Sequence, residues 1–327
     1  MFDGNNIKDE PNKKRISIFV GILVIAVIFI YFGLFAAPQG SIESERFIVP
    51  LGEKAVVTSL KEAGFIKNIF GFSIALHGRE VKEGAYKISK AMNAWQIAGV
   101  LTGEPYMKWV VIPEGLRKEE TADILAATLG WSKEDKEKWI TTYTMLQYDY
   151  TEGVYFPDTY LIPVAESPLD VANRLRAKFN EKFSPLAGEA AKQNIKWNTL
   201  LKIASIVQRE AAGKDDMPLI AGILWNRLLQ DIRLEVDATL QYARGDTGNG
   251  WWFPITIADK QKDSPYNTYK YKGLPPHPIS NPGLNAISAV LYPQKTDCLF
   301  YLHDSSRIIY CVKTYKEHQA NIEKYLR

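Results

Sequence analysis

Cysteine and histidine are scarce in this chain, with two of the first and four of the second in 327 residues. The histidines are scattered and no ligand spacing for zinc can be assembled from them. Neither cysteine has a partner placed to make it a nucleophile. An excess of charge is missing too: 40 Lys and Arg against 37 Asp and Glu leave a net +3, and the basic residues are dispersed. That excludes the clustered positive footprint of a nucleic-acid-binding surface. Internal repeats and low-complexity tracts are absent, so the chain is not a solenoid or a linker.

The most informative absence is local. From Ile16 to Ala37 the sequence reads ISIFVGILVIAVIFIYFGLFAA, without a charged residue. At about 1.5 Å per residue such a run crosses a bilayer core of roughly 30 Å. Lys13, Lys14 and Arg15 precede it, and Glu43 and Glu45 are the first charges after it. The positive-inside bias therefore predicts a cytoplasmic tail over 1–15, a membrane helix over 16–37 and an exported remainder. Phe35-Ala36-Ala37-Pro38 also offers a cleavage site, but the run is longer than the apolar core of a signal peptide.

The rest is long enough for two moderate domains. Residues 38–44 (PQGSIES) read as a short tether. Over 45–104, short β-rich runs pair with helical spacing at Val56, Leu60 and Ala63 and again at Ala91, Trp95, Ile97 and Leu101, which predicts a small α+β module. Gly103-Glu104-Pro105 closes it, and the boundary is placed there. From 105 to 327 the sequence predicts a larger α+β domain, because helices alternate with short, scattered strands. A strand is expected over Lys108–Ile112, helices over Lys118–Leu129 and Ser132–Tyr143, and a strand or loop in GVYFPDTYLIP. A charged helix from about Leu169 to Lys182 follows, then a helix capped by Asn198, and another opened by Pro218.

The two cysteines fall in CLFYLHDSSRIIYCV, which predicts a hairpin around Asp304-Ser305-Ser306. With the turn centred between Asp304 and Ser305, Cys298 faces Cys311 and a cross-strand disulfide can form in an oxidising compartment. A register shift of one residue separates them and leaves two small apolar side chains.

On a helical wheel the segment from Thr199 to Ala212 buries Leu200, Ala204, Val207 and Ala211, with Lys202 and Arg209 opposite. Glu210 falls on a flank between Ile203 and Ile206, in the last turn before Gly213. Apolar neighbours and the carbonyl end of the helix both favour its protonated form, as a general acid requires. A solvated glutamate paired with Lys214 fits the same pattern. Asp237, before a helix-like Ala238–Tyr242, reads as an N-cap or as a second carboxylate. The stiff segment YNTYKYKGLPPHPISNPG offers polar-tipped rings for a sugar face, or is a proline-rich surface connection.

The segments PEGLR (113–117), EGVYFPDTYLIP (152–163), ASIVQRE (204–210), NRL (226–228), LEVDATLQYA (234–243), YNTYKYKGLPPHPISNPG (266–283) and AISAVLYPQKTDCLFYL (286–302) occur in the order and spacing of the YceG/MltG family, whose members are endolytic murein transglycosylases. The chain resembles that family over nearly all of its expected exported part. The resemblance implies that Glu210 is the essential glutamate and that residues 45–104 are a LysM-like module in contact with glycan. It also implies cleavage of the β-1,4 bond between N-acetylmuramic acid and N-acetylglucosamine in nascent strands, leaving 1,6-anhydro ends and terminating elongation. No cofactor or metal is called for. Implied partners are peptidoglycan strands, the cell membrane, and penicillin-binding proteins with the elongation machinery. Asn267, Tyr269, Tyr266 and Gln241 are the expected substrate contacts, and Asp237 and Asp158 the expected structural residues near the site. Gln208, His277 and Ala238 depart from the family pattern, which commonly has Glu, Gly and Pro there. A hydrolytic muramidase using Asp237 or Asp158 as second carboxylate, and a non-catalytic wall-binding scaffold, are the alternatives; Gln208 is the main argument for the scaffold.

Overall fold

The structure is a computed structural model that describes residues 10–145 and 152–326, with side chains from Arg15 onward. Most of the expected cytoplasmic tail thus lies outside the described residues. The chain divides into two compact units: residues 1–109 with 161–165, and residues 110–160 with 166–327.

The first unit starts with helix α1 (Glu10–Phe35), then β1 (Ser44–Val49), α2 (Val56–Glu62), α3 (Ile69–Leu76), β2 (Gly84–Ser89), α4 (Ala94–Leu101) and β3 (Met107–Val111). Within α1, Arg15–Phe35 has a mean hydropathy of 3.0 and presents its side chains outward, so it is long and apolar enough to cross a membrane. β1 and β2 pair antiparallel, Phe47 opposite Tyr86, and flank α2 and α3. Phe47, Leu60, Phe72, Ile88, Ile97 and Leu101 form the core between sheet and helices. Asn93 caps α4 with a reciprocal Gln96 contact, so the helix starts at Ala94 and leaves Ala91 outside it. Residues 38–44 are tied to the first unit, since Gln39 N donates to the Lys90 carbonyl (3.1 Å) and Ser89 Oγ to the Ser41 carbonyl (2.8 Å). β3 and β4 extend the pair into a four-stranded sheet of order β1-β2-β3-β4.

The chain continues with α5 (Lys118–Leu129), α6 (Lys133–Thr141), β4 (Thr159–Pro163), which ends in the first unit, and then, in the second unit, α7 (Pro168–Lys192), α8 (Trp197–Glu210), α9 (Met217–Leu229), α10 (Asp237–Arg244), α11 (Leu284–Leu291), β5 (Phe300–His303), β6 (Ile309–Val312) and α12 (Tyr315–Tyr325). Short 3-10 turns lie at Tyr143–Met145 and Asp259–Gln261. α8 is the centre: Leu200, Ile203, Ile206 and Val207 are fully buried, and α9 and α11 pack on it. The expected apolar face is therefore seen, but Lys196 precedes the helix where Asn198 was expected to cap it. α7 runs ten residues past Lys182, through Pro185.

The C-terminal hairpin pairs Tyr301 with Cys311 and His303 with Ile309, so its turn is centred on Ser306 rather than before Ser305. The disulfide Cys298–Cys311 nonetheless forms, with Cα atoms 5.7 Å apart. Cys298 lies outside β5, where the chain is not held to the ladder register. α12 covers the hairpin through Tyr325 on Tyr310 and His318 on Phe300.

Candidate active site

A cavity of about 680 Å³ opens in the second unit, lined by the end of α8, the segment before α10, β5 and α12. Glu210, the last residue of α8, faces into it and is half-buried. Tyr301 Oη donates to Glu210 Oε2 at 2.8 Å. Burial pushes the Glu210 carboxyl above the ordinary carboxylate range, and the nearby Asp237 charge adds to this. The Tyr301 hydroxyl and the Ala238 amide, in the first turn of α10, pull the other way. The result is an acid whose proton is held by its surroundings and whose conjugate base has donors waiting for it.

Behind Glu210 the chain is fixed by a second pair. Asp216 accepts from Ala212 N (2.9 Å) and Gly213 N (3.2 Å), and His303 Nε2 lies 2.7 Å from its Oδ2. Tyr301 and His303 are two apart on one strand and so share a face. One strand thus grips both the acid and the turn that follows it.

Asp237 lines the same cavity, where Tyr269 Oη donates to its Oδ1 at 2.5 Å. The N-cap expectation for Asp237 is corrected. Val236 occupies the cap position, and the Asp237 carboxylate is turned to Tyr269 rather than to the helix amides. Glu235 adopts a left-handed backbone (φ 53°), which lets Leu234 and Val236 stay buried while its carboxylate meets Arg227 at 2.8 Å on the cavity wall. Lys260 sits 4.3 Å over the Tyr269 ring, and Phe300, Tyr315 and His318 complete an aromatic side.

The other expected contacts are placed elsewhere. Asn267 is fully buried. Its amide donates to the Lys260 and Lys262 carbonyls and its oxygen accepts from Tyr269 N and Lys270 N, so it shapes the loop. Tyr266 packs on Tyr242 at 4.8 Å. Gln241 holds the carbonyls of Trp252 and Phe253. That loop is pinned further by Arg209 over Trp252 (3.8 Å) and by Arg117 between Tyr242 (4.1 Å) and Trp251 (4.3 Å). Asp158 accepts from its neighbour Thr159 N and is not part of the cavity. Gln208 Oε1 accepts from Gly283 N at 3.0 Å, at the start of α11. A Cβ on Gly283 would collide with the Glu114 carboxylate, so the chain approaches closely there.

Sequence reasoning missed Tyr301, Arg227, Glu235, Lys260, Tyr315 and His318. The alternation Tyr301, His303 in a β-rich run was the one available signal, since it puts two polar tips on one face. Among the described residues no group of three or more His, Cys, Asp or Glu is arranged to hold a metal ion.

Comparison with known proteins decides the kinship. The model of the YceG-like family matches residues 47–324. The chain belongs to the YceG-like family. The endolytic murein transglycosylase of Bacillus subtilis is 30% identical over 305 residues, covering 85% of this chain and 84% of that protein. The protein of the same name from Streptococcus pneumoniae is 28% identical over 82% of this chain, and the chain spans only 56% of its length. The crystal structure of a YceG-like protein from Listeria monocytogenes matches with a TM-score of 0.59 and 30% identity, over 86% of this chain and 99% of that one.

Proposed function

We propose that this chain is a membrane-anchored endolytic murein transglycosylase and that Glu210 is its catalytic acid and base. The observation that carries this reading is a carboxyl with raised proton affinity opening onto a cavity large enough for sugar residues, with Tyr301 and the Ala238 amide ready to stabilise its ionised form. Family membership and the names of the relatives supply the substrate class.

Glu210 donates its proton to the glycosidic oxygen as the bond from C1 of N-acetylmuramic acid to N-acetylglucosamine breaks. The 6-hydroxyl of the same muramic acid then closes on C1, and the Glu210 carboxylate takes the hydroxyl proton. No water is consumed and the acid is regenerated. An intramolecular nucleophile has the advantage of proximity, so one carboxyl suffices. Tyr269, held by Asp237 on the cavity wall, is the contact proposed for the sugar.

The order β1, α2, α3, β2, with the strands antiparallel, supports reading the first unit as a LysM-like glycan-binding module. Residues 1–15 are then cytoplasmic, α1 is a retained anchor and the chain from residue 38 onward is exported. Retention is supported by Phe35, which packs on the first unit's core and stacks on Trp95 at 5.4 Å. Partnership with penicillin-binding proteins and the elongation machinery, and a role in ending strand growth, belong to the same proposal.

A hydrolytic muramidase is the second reading, and Asp237 in the same cavity is what favours it. Mass spectrometry of fragments released from uncrosslinked, freshly polymerised glycan separates the two: anhydro ends, lost with Glu210→Gln, are expected, and reducing ends would overturn the transglycosylase. A scaffold without activity would release nothing. Gln208 accepts from the backbone at Gly283 and does not line the cavity, which supports the enzyme over the scaffold.

A further inference from the structure

We infer that α3 lies on the membrane surface, with Ile69, Phe70 and Ile74 in contact with lipid. This rests on the reading of α1 as membrane-spanning. Every residue of α3 (IFGFSIAL) is uncharged, and only one side of it is used by the fold: Gly71, Phe72 and Ala75 are buried. Ile69, Phe70 and Ile74 are 44%, 66% and 40% exposed, which leaves an apolar face open among the described residues.

Its depth is fixed by the neighbouring helix. A Cβ at Gly71 would lie 2.2 Å from the Leu34 carbonyl oxygen, so α3 and α1 touch backbone to backbone at Leu34. Leu34 is the penultimate residue of the apolar span Arg15–Phe35. A span of that length just fills the bilayer core, which puts its last turn at the boundary between acyl chains and headgroups. Whatever touches Leu34 is at that boundary as well.

The rings nearby fit such a level. Tyr31 packs on Phe35 at 5.4 Å, and Phe35 on Trp95 at 5.4 Å, with Trp95 itself 42% exposed. A cluster of Tyr and Trp at one end of a membrane helix is the pattern of an interfacial belt. A short apolar face beside it adds buried area in the plane of the interface, as an amphipathic segment does. The covering partner is therefore lipid and not a second copy, because the bilayer is already present at that height.

The test uses the full chain in liposomes, with its disulfide intact and one added cysteine carrying an environment-sensitive dye. Phe70→Cys reads α3, and Phe29→Cys reads α1 inside its apolar span. Leu51→Cys is an exposed apolar position beyond the end of β1 distant from the tether, at about 3.3 Å per residue along the strand. Spin-labelled lipid is expected to quench the dye at positions 29 and 70, with a blue shift at both, and to leave position 51 unchanged. Quenching at 29 with position 70 behaving like position 51 would overturn the inference and leave the anchor standing. A blue shift at 70 that follows protein concentration and ignores spin-labelled lipid would also overturn it, in favour of a second copy. Loss of quenching at both 29 and 70 would remove the anchor reading and the inference with it.

Discussion

Two glutamates of the second unit hold their protons above the ordinary range, and their surroundings could hardly differ more. Glu152 is fully buried. Its carboxylate accepts from Lys118 N (3.0 and 3.1 Å) and from Asn281 Nδ2 (3.0 Å), and burial with the Glu119 charge nearby pushes it up to about 8. Glu210 is raised by burial too, yet it opens on a cavity and has one side-chain donor, Tyr301. Elevated proton affinity marks both residues, but only access to a ligand and unspent acceptor capacity distinguish an acid that can work from one that holds a loop.

The largest expected effect breaks the pair apart by function. Glu210→Gln should lower glycan cleavage by about 10³-fold while leaving the urea midpoint nearly unchanged. Equal loss of activity in Glu152→Gln, per folded molecule, would contradict the distinction. The converse is a stability experiment. Glu152→Ala strands the Lys118 amide and one Asn281 donor, and should cost about 3 kcal/mol in urea unfolding, with cleavage by the remaining folded protein retained.

The same residue makes a pH prediction. Between the ordinary 4.5 and about 8 the folded chain keeps a proton on Glu152 that the unfolded chain releases. The native state then binds more protons, so this contribution is complete below about 4.5 and is lost as pH rises through about 8. Thermal unfolding from pH 5 to 8 should show a decline in the wild type that is smaller in Glu152→Gln.

Smaller effects sharpen the other side. Tyr301→Phe removes a donor that favours ionised Glu210, so the alkaline limb of the cleavage rate should move to higher pH, with about a tenfold loss at the optimum. Asp237→Asn removes a charge that favours the protonated form, and the limb should move slightly to lower pH. If Asp237→Asn instead abolishes cleavage as Glu210→Gln does, a second catalytic carboxylate is present and the muramidase reading gains.

Periodicity made α5, α8 and α9 legible, because each has one apolar face long enough to show a repeat, and it put Glu210 in the last turn of α8, where it lies. α3 has no polar face and α12 (YKEHQANIEKY) has no apolar stripe, so neither produces a period. The partners of Glu210 were hidden for a different reason. Tyr301 is 91 residues away in sequence, and nothing local announces a contact of that span. Asn267 shows the limit of composition: a polar residue among tyrosines reads as a ligand contact, whereas its four side-chain hydrogen bonds hold its own loop. The disulfide was legible as a pair of positions but not as a register, because Cys298 lies outside the ladder that the turn sets.

Asn281 has a consequence for the order in which the molecule assembles. Its side chain ties Leu116, Glu152, Gly153 and Tyr155 together, across as many as 165 residues, and Tyr301 reaches Glu210 from later still. The β1-β2 pair of the first unit, by contrast, closes within 46 residues, Ser44 to Ser89. A chain emerging amino terminus first can close that pair early, while the contact of Tyr301 with Glu210 waits for β5. High contact order of this kind slows folding. Cutting the chain just before β5 should therefore leave an acid without its donor and a domain that never closes.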